Sequence, residues 1–326
     1  MNLTTKVKLA GKYRLEVRKA KDGSLRQELE FDNLIVDQGM NLFSRSTGSS
    51  NLSYAMVGTG TTTPTVNDTQ LANRIASAGG STPPGGTIVN QTTGTSTSEP
   101  YYGFYRLTYR FVPGTLNNVN LTEVGVGTTT TSVFSRALIV DGNGDPTSIT
   151  VLSDEFLDVT YELRLYPFVD DQTDTITITN VGTINVTRRP IAVTAVTATG
   201  GWVPGLSSTS GLNIPRSYIS NATSNSWVRV SGAQTALVAK TNAWTSVSTL
   251  AVTSSSVSYS AYVAGSFEQN MTYILGLDAG NTSGGVRFFQ FALDGLGAYQ
   301  YLFSDLIAKN NTNTLRFNMK AVWSRY

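Results

Sequence analysis

Polar and apolar residues alternate over residues 12–19 (KYRLEVRK), which puts Tyr13, Leu15 and Val17 on one face of a strand and the charged side chains on the other. Asp22-Gly23 predicts a hairpin turn, because both residue types tolerate the left-handed backbone that such turns need. A return strand then runs through Leu25, Leu29, Phe31 and Leu34. A short helix is predicted over 38–43, where Met40 and Phe43 lie one turn apart. Residues 54–58 (YAMVG) read as a compact apolar strand, and Asp68 is placed to cap a turn of helix through Leu71 and Ile75. Residues 77–99 are almost entirely Ser, Thr, Gly, Pro and Asn around Pro83-Pro84-Gly85-Gly86, a composition that predicts a long flexible loop.

The strand pattern is densest over 101–167: YYGFYRLTYRFV, NVNLTEVGVG, SVFSRALIV, ITVL and LDVTYELRLY. Short strands punctuated by Gly, Pro, Asn and Asp every ten or so residues predict a mainly β protein of tandem antiparallel β-sandwich, jelly-roll-like domains with little helix. Leu163 and Leu165 fall on the core face of the closing strand, opposite Glu162, Arg164 and Tyr166. Pro190 within Arg188-Arg189-Pro190 predicts a break in the strand ladder, dividing the chain into domains 1–188 and 189–326. The second half echoes the first. YRFVPGTLNNVNLTEVGVG aligns with GSFEQNMTYILGLDAG, SVFSRALI with QYLFSDLI, and LDVTYELRLYP with NTLRFNMKAVWSR.

Only 14% of residues are charged, against about 25% in typical soluble domains, and Thr, Ser, Asn and Gly replace them. The net charge of +2 is spread without blocks, so no long-range field favours nucleic acid. With no cysteine there are no disulfides and no thiolate chemistry; with no histidine the commonest general base and zinc ligand are missing. The start has no apolar signal core, and no apolar run reaches the ~18 residues needed to span a bilayer. The expectation is therefore no membrane insertion.

Asp141-Gly-Asn143-Gly-Asp145 begins like a calcium loop, but Pro146 and Leu152 stand where Gly and a bidentate Glu are needed, so a hairpin turn is expected and no metal. Asp154-Glu155 and Asp170, Asp171 and Asp174 are the carboxylate clusters from which a glycosidase pair could be drawn; neighbours on a strand point to opposite faces, which argues against it. The Tyr/Arg stripe Tyr105-Arg106-Leu-Thr-Tyr109-Arg110-Phe111 could serve as a base-stacking platform, yet alternation makes its aromatics a core face and its arginines an outer face. Asn-x-Ser/Thr triplets carry no weight in a chain so rich in Asn and Thr. Among Trp202, Trp227 and Trp244, Trp202 sits beside Gly200-Gly201 and Pro204 and is the candidate exposed glycan contact, while Trp227 is assigned to the core. Catalytic, cofactor and metal residues are expected to be absent.

The segments KYRLEVRKAKDGSLRQELEFDNLIVDQGMNLF, YAMVGTGTTTPTVNDTQLANRI and LTEVGVG…SVFSRALI…PTSITVLSDEFLDVTYELRLY resemble tail-associated structural proteins of tailed double-stranded DNA bacteriophages, of the kind described as tail-fibre proteins. The resemblance is strongest over 10–170 and returns in NTNTLRFNMKAVWSRY. It implies a non-enzymatic virion component made in the bacterial host cytoplasm: a tail fibre or tail-tip protein, with a collar or capsid decoration protein as the alternative. The implied partners are identical chains, other tail or head-neck proteins, and a host surface glycan or protein. A carbohydrate-binding or depolymerising appendage is the rival reading. The low charge and long Thr/Asn-rich strands predict a homotrimer. The concentration of the resemblance before residue 170 predicts that the N-terminal half docks on the virion and the C-terminal half faces outward.

Overall fold

The computed structural model describes residues 2–42, 52–79, 86–179, 181–196, 202–203, 228–246, 249–252, 255–293 and 297–326. The chain opens with β1 (Asn2–Lys19), β2 (Leu25–Asp32), β3 (Leu34–Ile35), the helix α1 (Asp37–Leu42), β4 (Tyr54–Gly58) and β5 (Arg74–Gly79). Then come β6 (Gly86–Thr95), β7 (Gly103–Phe111), β8 (Asn120–Leu121), β9 (Glu123–Gly127), β10 (Ser135–Leu138), β11 (Ile149–Thr150) and β12 (Glu155–Pro167). A hairpin of β13 (Gln172–Ile178) and β14 (Gly182–Ile191) precedes β15 (Val228–Ser231), β16 (Leu250–Ala251) and β17 (Ser255–Tyr259). The last strands are β18 (Glu268–Leu275), β19 (Val286–Leu293), β20 (Gly297–Ile307) and β21 (Leu315–Arg325). The protein is mainly β and dominated by antiparallel sheets, as the alternation predicts.

An eight-stranded sheet, ordered β17-β18-β21-β1-β12-β7-β6 with β2 also on β1, forms the spine. One face of it is apolar because its central strands keep the period of two. Leu3, Val7, Leu9, Tyr13, Leu15 and Val17 of β1 are all buried, and the same alternation holds in β12, β7, β18 and β21. Two smaller sheets cover this face. The first, β3-β10-β9-β4-β5, lies over the C-terminal half of β1: the Tyr13 hydroxyl is 3.0 Å from Ser135 Oγ, and Phe134 packs edge-on against Tyr161. The second, β13-β14-β20-β19-β15-β16, lies over β18, β21 and the start of β1, with Phe289 stacked on Phe317 at 4.4 Å and the Tyr299 hydroxyl donating to Lys6 O. Both sandwiches feed one continuous core.

The long sheet is a palindrome about β1: β12, β7 and β6 on one side, β21, β18 and β17 on the other. β12 is antiparallel to β1 and β21 parallel to it, so a half-turn in the plane of the sheet about β1 exchanges the flanks in position and direction together. Lys8 lies on this axis, opposite Tyr166 on one side and Ser324 on the other. The cover sheets repeat the same order, β3-β10-β9-β4-β5 against β14-β20-β19-β15-β16. The echo in the sequence is therefore an internal repeat. The match of LDVTYELRLYP with NTLRFNMKAVWSR is the pair β12 and β21, and SVFSRALI with QYLFSDLI is β10 and β20. The first match is displaced: EVGVG is β9, whose topological counterpart is β19, whereas ILGLDAG is the end of β18 and its turn.

Several local expectations change. Pro190 does not interrupt the ladder; it pairs opposite Tyr299 inside β14, where β13 has already ended and the strand is edge-like. The boundary between 188 and 189 thus falls within a strand, and the segments on either side of it share the long sheet and the core. Residues 86–95 of the expected flexible loop are strand β6, because β-branched Thr, Ile and Val find hydrogen-bond partners along β7; residues 80–85 lie outside the described residues. No helix follows Asp68. The amides of Ala72 and Asn73 are taken by the Glu123 carboxylate, and Ile75 continues into β5. β12 is an interior strand rather than a closing one, paired on both sides, with Leu163 and Leu165 fully buried as expected. Residues 22 and 23 turn as predicted, Gly23 taking a φ of 72°, and the predicted helix over 38–43 is α1, one residue earlier.

Candidate functional site

Charge concentrates on the outer face of the long sheet, at the positions that alternate with the core residues. Lys12 pairs with Glu30, Arg14 with Glu28 at 2.9 Å and Arg18 with Glu16 at 2.6 Å. Across the next strands Arg106 donates to Glu162 at 2.7 Å, Arg164 donates to the same carboxylate at 2.6 Å, and Arg110 grips Asp158 through two 2.7 Å bonds. Of these, Lys12, Arg14, Glu16, Glu30, Arg106, Glu162 and Arg164 line a shallow depression of about 260 Å³ over β1, β2, β7 and β12. Arg106–Glu162 and Arg110–Asp158 are directly opposed across β7 and β12, and Lys12–Glu30 and Arg14–Glu28 are diagonal across β1 and β2, arrangements in which opposite charges stabilise a sheet. Arg18–Glu16 and Arg164–Glu162 instead lie along one strand. The hydrogen bond from Lys12 holds Glu30 below the usual carboxylate range. A general acid for glycosidic cleavage needs the opposite shift.

The acidic residues singled out in the sequence are dispersed. Glu155 is buried; burial pushes its pKa up, but the Arg26 guanidinium and the Leu152 amide outweigh this and leave it low. Asp171 is held low chiefly by its two bonds from Arg189, and Asp174 accepts from Arg188. Asp141 Oδ1 accepts the amides of Asn143 and Asp145, which closes the tight turn that the glycines permit. Tyr105, Leu107, Tyr109 and Phe111 lie in the core, and Arg106 and Arg110 lie outside, so the base-stacking platform is not formed.

Trp202 is not an exposed glycan platform. It is fully buried, its indole N–H donates to Ile191 O at 2.9 Å, and its ring meets Tyr299 edge-on over Gly297, where a Cβ would strike the indole. The flanking glycines and proline suggested exposure, but an indole with its N–H satisfied is an efficient core residue. Trp244 is also buried, in a satellite cluster with Ile191 and Ala292; Trp227 lies outside the described residues.

One buried network organises a loop. Glu123, fully buried on β9, accepts the amides of Gly60, Ala72 and Asn73 at 3.1, 3.0 and 2.7 Å and pairs with Arg136 at 2.9 Å. Arg136 in turn bonds Asp68 and Thr62. Burial pushes the Asp68 carboxyl up, but bonds from Thr65 and Arg136 prevail and hold it low.

Sequence reasoning missed an open aromatic groove of about 620 Å³ at the pseudo-two-fold axis. Its walls are Tyr101, Tyr166, Phe168 and Tyr326, with Lys8, Glu99 and Asp170 among them. Tyr326 packs against Tyr166 at a tilt of 30° with ring centroids 4.3 Å apart, and its amide donates to Leu9 O at 2.8 Å, which fixes it beside Lys8. The Lys8 ammonium sits 5.5 Å from the Phe168 centroid and 5.3 Å from that of Tyr326. The signal was present in the sequence: Tyr166 occupies the polar register of β12, in step with Glu162 and Arg164. No family model matches the chain, and neither a curated protein nor a solved structure matches it.

Proposed function

We propose that the chain is a non-enzymatic structural component of a tailed-phage virion, a tail-fibre or tail-tip protein working as one copy of a homo-oligomer, most simply a trimer. The observation that carries this reading is the use made of charge. Where the sequence resembles phage tail proteins, the charged side chains on the outer face of the sheet are spent on pairs within and across strands, and Glu123, Arg136 and Asp68 on the loop clasp, which are structural roles. On this reading the protein is made in the host cytoplasm and meets other tail or head-neck proteins in the particle. A host-surface contact belongs to the same proposal, as does outward placement of the second repeat.

The homo-oligomer is supported by the edges of the long sheet. β6 and β17 end it on either side, and neither sequence (GTIVNQTTGT, SSVSY) contains a charged residue. Natural sheets guard their edges with charge, proline, bulges or short strands unless another element covers them; β17 is short and β6 has one register shift at Ile88–Asn90, which leaves residues 90–95 of β6 as the open stretch. A contact between β6 of one copy and β17 of the next is head-to-tail, the type that closes into rings. The test is light scattering of the purified chain beside its Thr92→Lys variant, with labelled chain located in intact particles by electron microscopy. An oligomer weakened by the lysine, and label on the tail, are the expected results. A monomer at micromolar concentration, or particles without the label, would refute the proposal.

A further inference from the structure

We infer that the groove bounded by Tyr101, Tyr166, Phe168 and Tyr326 binds a neutral oligosaccharide, which would make it the host-contact site of the virion protein proposed above. The inference rests on that reading for its biological setting and on the groove alone for its chemistry.

The rings are displayed rather than packed away. Tyr326 is 69% exposed although it packs at a tilt against Tyr166 with the Lys8 ammonium over its ring, so much of the ring stays in water beside the half-buried rings of Tyr101 and Phe168. An aromatic face carries the negative part of the ring quadrupole, and the C–H bonds on one side of a pyranose present weak positive charge to it. Large exposed aromatics gathered in a concave site with a few polar groups are the ordinary make-up of a ligand pocket, and 620 Å³ lies within the usual range of about 300–1,000 Å³.

The polar groups select the ligand class. Both signs of charge enter the groove, Lys8 as a donor of hydrogen bonds and Glu99 and Asp170 as acceptors. Among the described residues Lys8 has no carboxylate partner and Asp170 forms no ion pair, whereas Glu99 is paired with Lys240 and has only its remaining lone pairs to offer. A sugar ring bears hydroxyls that both donate and accept, so it can satisfy ammonium and carboxylate at once while its C–H face covers a tyrosine. A purely apolar side chain would desolvate both charges without compensation. Phosphate or polyuronate would meet Lys8 favourably but be repelled by Asp170; the charge of Glu99 is already met by Lys240, whose ammonium lies 5.3 Å from the Tyr101 centroid.

The site also has a structural logic. Tyr166 lies near the end of β12 and Tyr326 directly follows β21, the equivalent strands that flank β1 on either side of Lys8. The repeat thus brings together two strand ends that are far apart in sequence, and the loops 96–102 and 167–171 wall the space between them.

The test is calorimetry and ligand-observed NMR on the full chain with maltohexaose, cellohexaose and chitohexaose, and with a hexamer of galacturonic acid as the anionic probe. The expected result is millimolar or tighter binding of at least one neutral hexamer, insensitive to salt, reduced tenfold or more by Tyr326→Ala and by Phe168→Ala, and retained in Tyr326→Phe. Tyr326 is exposed, so its variants should keep the parent melting temperature. No binding of any neutral hexamer at 10 mM (about −2.7 kcal/mol as a limiting affinity), or binding unchanged in both alanine variants, would overturn the inference, as would preference for the galacturonate. Label on the tail together with a silent groove would sink this inference and spare the structural reading; sugar binding without incorporation into particles would do the reverse.

Discussion

Replacing Glu123 by Gln removes one negative charge from a site with no solvent to take its place. The carboxylate is fully buried and serves three backbone amides and Arg136, itself only 3% exposed. The amide oxygen of Gln can still accept one or two of the N–H bonds, so most of the loss is electrostatic. Breaking a buried pair from one side costs about 3–5 kcal/mol. Asp68 remains as a second partner for Arg136, which places the expectation near the lower limit, about 3 kcal/mol. The loss should be local first, because the three amides belong to the segment 58–73 that the carboxylate holds against β9. Hydrogen exchange read on peptides covering 58–73 should therefore rise by roughly 100-fold, the equivalent of that energy, while peptides from β12 change far less. In the Glu123→Gln, Arg136→Met double variant the costs should fall short of the sum by at least about 1 kcal/mol, as expected of coupled partners. Unchanged exchange in 58–73, or strictly additive costs in urea unfolding, would refute the reasoning.

Leu163→Ala, at a fully buried position on interior strand β12, should destabilise the protein by about 2–5 kcal/mol, read as a lower urea midpoint. A second expectation concerns pH. The folded-state pKa values of Glu30, Asp68, Glu155 and Asp171 are depressed, so the unfolded chain binds more protons near pH 4. Their stabilisation is complete above the unfolded values of about 4 and is lost as pH falls through the lower folded values. With no histidine in the chain, the melting temperature should be flat from about pH 6 to 8 and fall below about 4; a step near pH 6.5 would contradict this.

How far the sequence could be read depended on the range of the interaction. Strands with strict alternation, such as β7, β12 and residues 12–19 of β1, were legible because burial on one face writes a period of two into the residues themselves; residues 2–11, where β1 extends to meet β21, were not read as strand. The turn at Gly23 and the helix α1 were legible for equally local reasons. Asp68 was misread as a helix cap because the competitor for the nearby amides, Glu123, lies some fifty residues away and leaves no local trace. Residues 86–95 looked like loop because their composition is weak, and only the neighbouring edge of β7 makes them a strand. Trp202 shows the same limit: its surroundings in sequence are glycine and proline, while its surroundings in space are Tyr299, Gly297 and a carbonyl. Of the groove, only Tyr166 was marked by its register. Its coming together with Tyr326 depends on β1 lying between two strands from opposite ends of the chain.

That placement of β1 also decides how the two halves can be separated. Residues 2–9 of β1 run alongside residues 318–325 of β21, and Leu3, Val7 and Leu9 share the core with Phe317, Met319 and Trp323. Trp323 donates its indole N–H to Met40 O at 3.0 Å, and Arg325 bonds Ile35 O and Asp37, so the end of β21 is also tied to the first repeat through side chains. A fragment of residues 189–326 lacks β1, leaves β21 as a bare edge with an apolar face, and loses β13 and most of β14 from its cover sheet. Such an edge invites aggregation rather than folding. The fragment is therefore expected to be insoluble or without a cooperative melt when made alone. Co-expressed with residues 1–188, it should be recovered as a one-to-one complex, because the same surfaces are then supplied in trans. A fragment of 189–326 that melts cooperatively by itself would mean that β1 is dispensable to the second repeat, and that the shared core does not couple the halves.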